Sequence, residues 1–444
     1  MKWKFLRPVA AAAAASLLLT GLAGCGAPAA GGSAEAVTLT WWAPNLTNSL
    51  TADEDYYKTL TAKFTKDTGI EVDVQVNAWG DYYNKILGAI TSGEGADVIS
   101  TGTTWVSTLS DTKAFVQFDQ AKMDSIGGAG QFVPAALEAA GGNNPGGPSM
   151  IPFVSGVTAM WYNPKLLKAA GIDKPPATWP EFLADGKKLT KDTDGDGKID
   201  QWGFGYPAGF AQEWSHTMFA FGEQNGAPFF DASGAPALDS DGMVAAAKQF
   251  IDLMNTDKIM NPSNVEQTAF GDTYQDFING KIAILFASGA NSAFDAANFT
   301  DYAPAQIPLN DPMTGKPVTS HVAGANLGVF GAGKHTAEAT KLVQYLTSKD
   351  AQVDLAVHIP ILPVNAEAYN SDQVKKTDVF VTAEKILKDT AASFPINPLT
   401  AQAETVVGDA MKKIMAQAAT SKSMSAADIK AILTEANSQL KAAK

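Results

Sequence analysis

Hydrophobic positions in the first quarter of the chain alternate between two spacings. A β-branched and aromatic run occupies 37–42, apolar residues fall on every second position from Ile70 to Val76, and Asp97 is followed by the apolar pair Val98-Ile99. Between these segments apolar residues recur every three or four positions, in 53–67 and in 81–92. A period of two is typical of strands and a period near 3.6 of helices. The β-α-β-α-β order predicts an α/β fold with a mostly parallel sheet flanked by helices.

The rest of the chain mixes helical patterns with a few buried strands. Met150 to Tyr162 is apolar and extended, with an interruption at Ser155-Gly156. Thr178 and Glu181 have the spacing of a capping box, which predicts a helix that ends near Leu189. Further helices are predicted at 239–255, 268–279, 337–348, 351–357, 401–419 and 426–441, and strands at 282–286 and 327–330.

Three loops follow the predicted strands of the first sheet, at Pro44-Asn45, 77–79 and 101–105. Because ligands in open α/β sheets bind beyond the carboxyl ends of the strands, we expect these loops to meet at one ligand site. Each loop contains or adjoins a tryptophan, namely Trp42, Trp79 or Trp105. Flat aromatic rings are suited to stack on the apolar faces of sugar rings, although core packing is the alternative for each of them.

The N-terminus has the sequence pattern of a secretory signal peptide. Basic residues precede an uncharged apolar run at 9–22 that is too short to span a bilayer as a helix. Leu22-Ala23-Gly24-Cys25 resembles the bacterial lipobox, and the alternative is an ordinary signal peptide with a chance cysteine. We therefore expect residues 1–24 to be a signal peptide and Cys25 to carry the lipid that anchors the protein to the outer face of the cell membrane. We expect residues 25–36 to form a flexible tether.

Composition limits the classes of molecule that the protein is expected to bind. The 444 residues, 45% of them hydrophobic, suggest two domains at about 100 to 200 residues each. The net charge of −13 becomes about −16 without the predicted signal peptide, which argues against nucleic acid and anionic lipid as partners. Arg7 is the only arginine, so the mature chain has no guanidinium to clamp a phosphate or carboxylate. A neutral ligand is therefore favoured.

One acidic loop has the spacing of a cation site. Residues 192–200 match the first nine positions of an EF-hand loop, but Gly203 stands at position 12 in place of the bidentate glutamate. We predict a structural Ca²⁺ at this loop, and a solvated acidic turn is the alternative. The predicted ligands are Asp192, Asp194, Asp196, the carbonyl of Lys198, Asp200 and Gln201 or, in its place, water or a distant acid.

Seven short segments occur in a recognisable order: Trp41-Trp42, 96–99, 161–167, 176–182, 279–283, 324–330 and 359–365. In this order they resemble family 1 extracellular solute-binding proteins, the maltose-binding-protein-like sugar receptors of ABC importers. The resemblance implies a type II periplasmic-binding-protein-like fold, in which two α/β lobes with mixed sheets flanked by helices enclose a hinged cleft. It implies an N-terminal lobe of 37–154 and 308–346, and a C-terminal lobe of 155–307 and 347–444.

The same resemblance indicates which residues contact the ligand. The candidates are Trp42, Asn45, Trp79, Thr101, Thr103, Trp105, Phe210, Gln212, Trp214, Gly289, Asn291, Gly324 and Asn326. Asn291 stands where many family members have an aromatic residue, so we expect a hydrogen bond there in place of stacking.

The resemblance implies that the protein binds a ligand and catalyses no reaction. The resemblance implies a monomeric lipoprotein that captures a neutral carbohydrate of oligosaccharide length by lobe closure. It implies that the protein then delivers this ligand to the permease subunits of an ABC importer. The four histidines form no zinc motif, no Gly-x-Ser-x-Gly occurs, and the phosphate-loop-like segment 328–335 has His335 where Ser or Thr is required. Two alternatives stay open, a secreted glycoside hydrolase or lyase and a binding protein for a neutral solute other than a sugar.

Overall fold

The computed structural model describes residues 36–47, 49–359, 361–421 and 424–443. The predicted signal peptide, most of the tether and the predicted lipidation site Cys25 lie outside the described residues. Helices and strands alternate along the described chain, which confirms the predicted α/β class. Every helix in these ranges is too short or too polar to span a bilayer.

Twelve strands are present in the described part of the chain. They are β1 (Thr38–Pro44), β2 (Glu71–Asn77), β3 (Val98–Gly102), β4 (Ile151–Gly156), β5 (Thr158–Tyr162), β6 (Trp202–Gly205), β7 (Ile282–Ser288), β8 (Ala303–Ala305), β9 (Ser320–His321), β10 (Ala323–Val329), β11 (Leu362–Pro363) and β12 (Ala391–Ala392).

The same residues form sixteen α-helices. They are α1 (Leu50–Thr68), α2 (Trp79–Ser92), α3 (Val106–Asp111), α4 (Gln120–Ser125), α5 (Pro134–Ala139), α6 (Pro164–Ala169), α7 (Trp179–Leu189), α8 (Ala211–Gln224), α9 (Asp241–Asn255), α10 (Phe270–Ile278), α11 (Asn291–Ala296), α12 (Thr336–Leu346), α13 (Lys349–His358), α14 (Asp378–Asp389), α15 (Thr400–Thr420) and α16 (Ala426–Ala442). Short 3-10 helices lie at Thr103–Trp105, Ala129–Gln131, Pro262–Glu266 and Ala368–Asn370.

The first sheet has six strands in the order β11-β4-β10-β3-β1-β2. β1 runs parallel to β2 and β3, and β10 runs antiparallel to β3 and β4. Parallel neighbours need a crossover, which α1 supplies between its N-cap Ser49 and the left-handed Gly69. Trp41 in β1 is buried at the centre of the core, where its ring centroid lies 5.0 Å from that of Tyr57 and 5.6 Å from that of Phe153.

The second sheet has four strands in the order β6-β7-β5-β8, with β6 parallel to β7 and β5 antiparallel to both its neighbours. Aromatic rings pack against one another in its core, where the ring centroid of Phe204 lies 4.8 Å from that of Phe286 and 5.4 Å from that of Phe182. α8 lies within this core, with ten of its 14 residues buried. A helix buried nearly all round has no clear amphipathic period, so the sequence pattern does not predict α8.

The chain crosses directly from one sheet to the other. β4 and β5 belong to different sheets and are separated only by Val157. The N–H of Thr158 donates to Ser320 Oγ at 2.8 Å, which ties this crossing to β9.

One predicted lobe boundary needs correction. Residues 347 onward were predicted in the second lobe, but Leu355 of α13 lies in the first core and β11 pairs with β4. α13 and β11 therefore belong with the first sheet, because Ala351 and Leu355 of α13 are buried in its core and β11 extends it. The other lobe boundaries stay predictions.

Candidate functional site

A cleft of about 1190 Å³ is lined by residues that follow strands of both sheets. The first sheet contributes the loops after β1 and β3 and the start of α2. The second sheet contributes the loop before α8, the end of β7 and the start of α11. Because ligand pockets commonly measure about 300 to 1,000 Å³, this cleft has room for a solute larger than one sugar ring.

Two tryptophans, Trp79 and Trp105, form what we call the aromatic wall of the cleft. Trp79 is the first residue of α2, and its Nε1 donates to the carbonyl oxygen of Asn45 at 2.7 Å. The centroids of the two indole rings are 5.6 Å apart at an interplanar angle of 64°, and Tyr83 packs 5.2 Å from Trp105. Since Trp105 is only 4% exposed, Trp79 presents the larger aromatic surface to the cleft.

The loop after β1 is held by a buried carboxylate. Asp53 Oδ2 accepts hydrogen bonds from Asn45 Nδ2 at 2.6 Å and from the N–H groups of Leu46 and Thr47 at 2.8 and 3.0 Å. Asp53 lies in the first turn of α1, where the helix dipole favours an anion. The loop that carries Asn45 is therefore fixed by the protein itself.

Glu213, His216 and His321 form what we call the polar base of the cleft. His216 Nε2 lies 2.8 Å from Glu404 Oε1, and His216 Nδ1 lies 3.6 Å from Glu213 Oε1, an ion-pair distance longer than a hydrogen bond. The ring of His321 stacks on that of His216 at 4.0 Å and 27°. Glu404 does not line the cleft, and its side chain is only 7% exposed.

The two stacked imidazoles are held in different protonation states. Burial by itself lowers the pKa of His216, but the carboxylates of Glu213 and Glu404 outweigh it and raise the pKa to about 10. Burial, reinforced by the positive charge of His216, holds the pKa of His321 well below its usual range. At neutral pH one ring is therefore a cation that pairs with carboxylates, and the other is neutral.

Most of the predicted contact residues come together at the cleft. Nine of the thirteen line it: Asn45, Trp79, Thr103, Trp105, Phe210, Gln212, Gly289, Asn291 and Gly324. Asn291 is buried at the start of α11, and Thr103 Oγ1 donates to the carbonyl oxygen of Val322 at 2.8 Å. Their role as ligand contacts stays a prediction, but their convergence on one cleft is a property of the fold.

Two of the predicted tryptophans lie away from the cleft. Trp42 alternates with the core residue Trp41 and so points to the opposite face of β1, where its Nε1 donates to Gln75 Oε1 at 3.1 Å and Lys85 Nζ lies 3.9 Å from the ring centroid. Trp214 is fully buried in the second core, where its Nε1 donates to the carbonyl oxygen of Ala208 at 3.0 Å.

Thr101 and Asn326 also fail to reach the cleft. They face each other across β3 and β10, and both are buried within the first sheet. The prediction placed Thr101 in a loop, whereas β3 extends to Gly102 and includes it.

The polar base was missed by sequence reasoning. Glu213 and His216 lie three positions apart and therefore on one face of α8, but that spacing signals a cluster only once the segment is known to be a helix. His321 and Glu404 are remote in sequence from both residues, and no local pattern marks them.

The acidic loop brings together three of its predicted ligands. One carboxylate oxygen each from Asp192, Asp194 and Asp200 lies within 4.8 Å of the others. Asp196 instead lies 3.6 Å from Lys198 Nζ, and Gln201 Nε2 donates to the carbonyl oxygen of Leu189 at 2.6 Å, toward the end of α7. The position of Gln201 argues against it as the last ligand, and calcium binding at this loop stays a prediction.

Comparison with known sequences gives a family match over most of the chain. A family model described as bacterial extracellular solute-binding protein matches residues 43–353. A protein of Brucella abortus (strain 2308), described as a candidate binding protein, is 25% identical over 370 residues that cover 81% of this chain and 84% of the relative.

Solved structures share the fold. A solute-binding protein of an ABC transporter from Thermotoga lettingae TMO, bound to α-D-tagatose, has a TM-score of 0.76 at 20% identity and covers 91% of this chain and 100% of its own. The MalE domain from Bdellovibrio bacteriovorus, bound to maltotriose, has a TM-score of 0.74 at 22% identity with the same coverage. These similarities confirm the predicted two-lobe architecture.

Proposed function

Because the chain belongs to the bacterial extracellular solute-binding protein family, we propose that it captures a neutral carbohydrate of oligosaccharide length and delivers it to the permease of an ABC importer. The observation that carries the proposal is the cleft, in which an aromatic wall and a set of amide and carboxylate side chains line one cavity of about 1190 Å³. A solute with apolar ring faces and many hydroxyl groups satisfies both kinds of surface.

The aromatic and polar side chains of the cleft contact different parts of the proposed ligand. The indole of Trp79, fixed through its N–H to Asn45, offers a flat surface for a sugar ring. Gln212, Glu213 and Asn291 offer hydrogen-bond partners for hydroxyl groups on the side of the second sheet. A ligand that contacts both sets bridges the two lobes, and so favours the closed arrangement over the open one.

The charge of the cleft supports a neutral ligand. Glu213 and Asp295 line it, and the mature chain has no arginine. Among the described lining residues, Lys375 is the only lysine. A phosphorylated or acidic sugar would meet carboxylates without a guanidinium to bind it.

Anchoring is the second part of the proposal. The lipobox at Leu22–Cys25 supports lipid attachment at Cys25, with the folded body held outside the cell by the tether. We propose that the protein acts there as a monomer, with the permease as its protein partner. The function is capture and release without a chemical step, so incubation with oligosaccharides should give no turnover above a heat-killed control.

A thermal-shift screen with neutral sugars and polyols tests the ligand class. Maltotriose, maltose, tagatose and ribitol are the first probes, with glucose 6-phosphate as the charged counterpart. A true ligand at 100 times its Kd stabilises the protein by about 2.7 kcal/mol. Trp79→Ala should abolish the shift, whereas Trp42→Ala, which alters a tryptophan outside the cleft, should keep it. A shift with the phosphorylated sugar alone would refute the proposal.

A further inference from the structure

Glu404 in α15 contacts three side chains at once from behind the cleft. Its Oε2 accepts hydrogen bonds from Thr104 Oγ1 and from Trp105 Nε1, each at 3.0 Å, and its Oε1 lies 2.8 Å from His216 Nε2. Thr104 and Trp105 follow β3 of the first sheet, whereas His216 belongs to α8 in the second core. One carboxylate therefore joins a residue of the aromatic wall to a residue of the polar base.

A glycine makes this contact possible. Gly408 lies one turn after Glu404 on the same face of α15. A Cβ at this position would lie 2.3 Å from the carbonyl oxygen of Ala211, the first residue of α8, so only glycine lets the two helices approach this closely. The approach brings His216 within hydrogen-bond distance of Glu404.

We propose that Glu404 is a positioning residue for ligand binding, whose carboxylate holds Trp105 and His216 in the relative position that a bound carbohydrate requires. The inference rests on the proposed function, because it takes this cleft as the ligand site. Glu404 acts through these two residues and does not itself contact the ligand.

An ionised carboxylate suits this position because all three of its partners are donors. A hydroxyl, an indole N–H and an imidazolium N–H surround its oxygens, and a carboxylate accepts on both oxygens without offering a hydrogen of its own. A glutamine of the same shape would present its NH₂ group to at least one of these donors and leave that donor unpaired. Glu404→Gln therefore removes the bonding pattern with little change in volume.

The test compares Glu404→Gln with a matched control. Glu435→Gln makes the same change at an exposed α16 residue whose partner Lys413 lies 2.9 Å away. Maltotriose affinity is measured by calorimetric titration from pH 7 to 10. In parallel, NMR follows the indole N–H signal of Trp105 and the ring signals of His216 without ligand. We expect Glu404→Gln to weaken maltotriose binding at least tenfold, to displace the Trp105 signal and to lower the pKa of His216.

The pH profile separates positioning from general stability. Wild-type affinity should decline as His216 loses its proton, and in Glu404→Gln that decline should begin at a lower pH. A purely structural role would lower the melting temperature without moving the profile. Glu435→Gln should behave as wild type in every measurement.

Two results would overturn the inference, namely unchanged affinity and pH profile in folded Glu404→Gln, or unchanged Trp105 and His216 signals. If wild type binds no sugar of the panel, the proposed function fails, and the ligand-free NMR comparison still decides whether Glu404 positions both residues. If Glu404→Gln does not fold, Trp105→Phe removes one donor and keeps an aromatic ring at this position. Unchanged affinity and an unchanged His216 titration in that variant would overturn the inference as well.

Discussion

The stability of the protein should fall as the pH rises from 7 to about 9.5, because His216 is charged in the folded state. A histidine in the unfolded chain has a pKa of about 6.5. The two carboxylates raise the folded pKa of His216 to about 10 against the opposing effect of burial. The folded state therefore keeps a proton that the unfolded chain has released, so this stabilisation is complete below about pH 6.5 and is lost as the pH rises through 10.

The size of the effect follows from the two pKa values. Linkage gives about 4 kcal/mol of stabilisation at pH 7 and about 1 kcal/mol at pH 9.5, a loss of about 3 kcal/mol. For a folded body of this size, about 1 kcal/mol corresponds to roughly 1 to 2 °C in Tm, so Tm should fall by about 3 to 6 °C. The window ends at about pH 9.5 because buried tyrosines such as Tyr57 and Tyr206, whose pKa values burial raises, reduce stability above their unfolded value near 10.

Calorimetric melting curves at constant ionic strength provide the assay. His216→Gln should remove most of the pH slope, and His358→Gln, at a side chain that is 53% exposed, should retain it. Below about pH 6.5 the sign reverses, because the unfolded chain takes up a proton at His321 that the folded state rejects. A slope that is equal in wild type and His216→Gln, or a wild-type stability that rises from pH 7 to 9.5, would refute the assignment of the charge to His216.

Three further predictions test other parts of the molecule. Gly408→Ala should push α8 away from α15 and lower stability by about 1 to 3 kcal/mol, measured by urea unfolding, with Gly271→Ala as a control because a Cβ there meets no atom within 4 Å. Ca²⁺ should raise Tm in wild type and have no effect in Asp192→Asn, and the idea is abandoned if chelator leaves wild-type Tm unchanged and calorimetry detects no heat. Cys25→Ala should move the protein from the membrane fraction to the soluble fraction with its sugar affinity unchanged, and retention in the membrane fraction would argue against the lipid anchor.

Position at the end of a strand predicted which residues line the cleft better than residue type did. The rule that ligands bind beyond strand ends selected the loops of Asn45, Trp79 and Trp105, and the fold brings all three to one cleft. The rule failed at Trp42 because that residue lies within β1, where side chains alternate between faces and Trp41 occupies the core side. The family resemblance, which indicated Trp214 as a contact, failed there because α8 is buried on nearly every face, which a single sequence does not reveal.

The polar base could not be predicted for a different reason. His216 and Glu404 are separated by 188 positions, and the protonation state of the imidazole depends on burial and on two carboxylates that only the fold brings near it. Composition favoured a neutral ligand, because Arg7 is the only arginine in the sequence and lies in the predicted signal peptide. Composition did not indicate where the acidic groups of the cleft lie.

The combined charge of the polar base and Glu404 bears both on stability and on the ligand that the proposed function requires. Glu213 and Glu404 share the single imidazolium of His216, while His321 is neutral, so the cluster carries an excess of one negative charge when both carboxylates are ionised. Glu404 has three donors, whereas the nearest cation atom to Glu213 is 3.6 Å away. Glu213, the carboxylate that lines the cleft, therefore still lacks a close hydrogen-bond donor. Under the proposed function, a ligand hydroxyl that donates to Glu213 would complete its hydrogen bonding only in the bound state, whereas an anionic ligand would add like charge at the same place. The cluster would therefore favour neutral, hydroxyl-rich solutes.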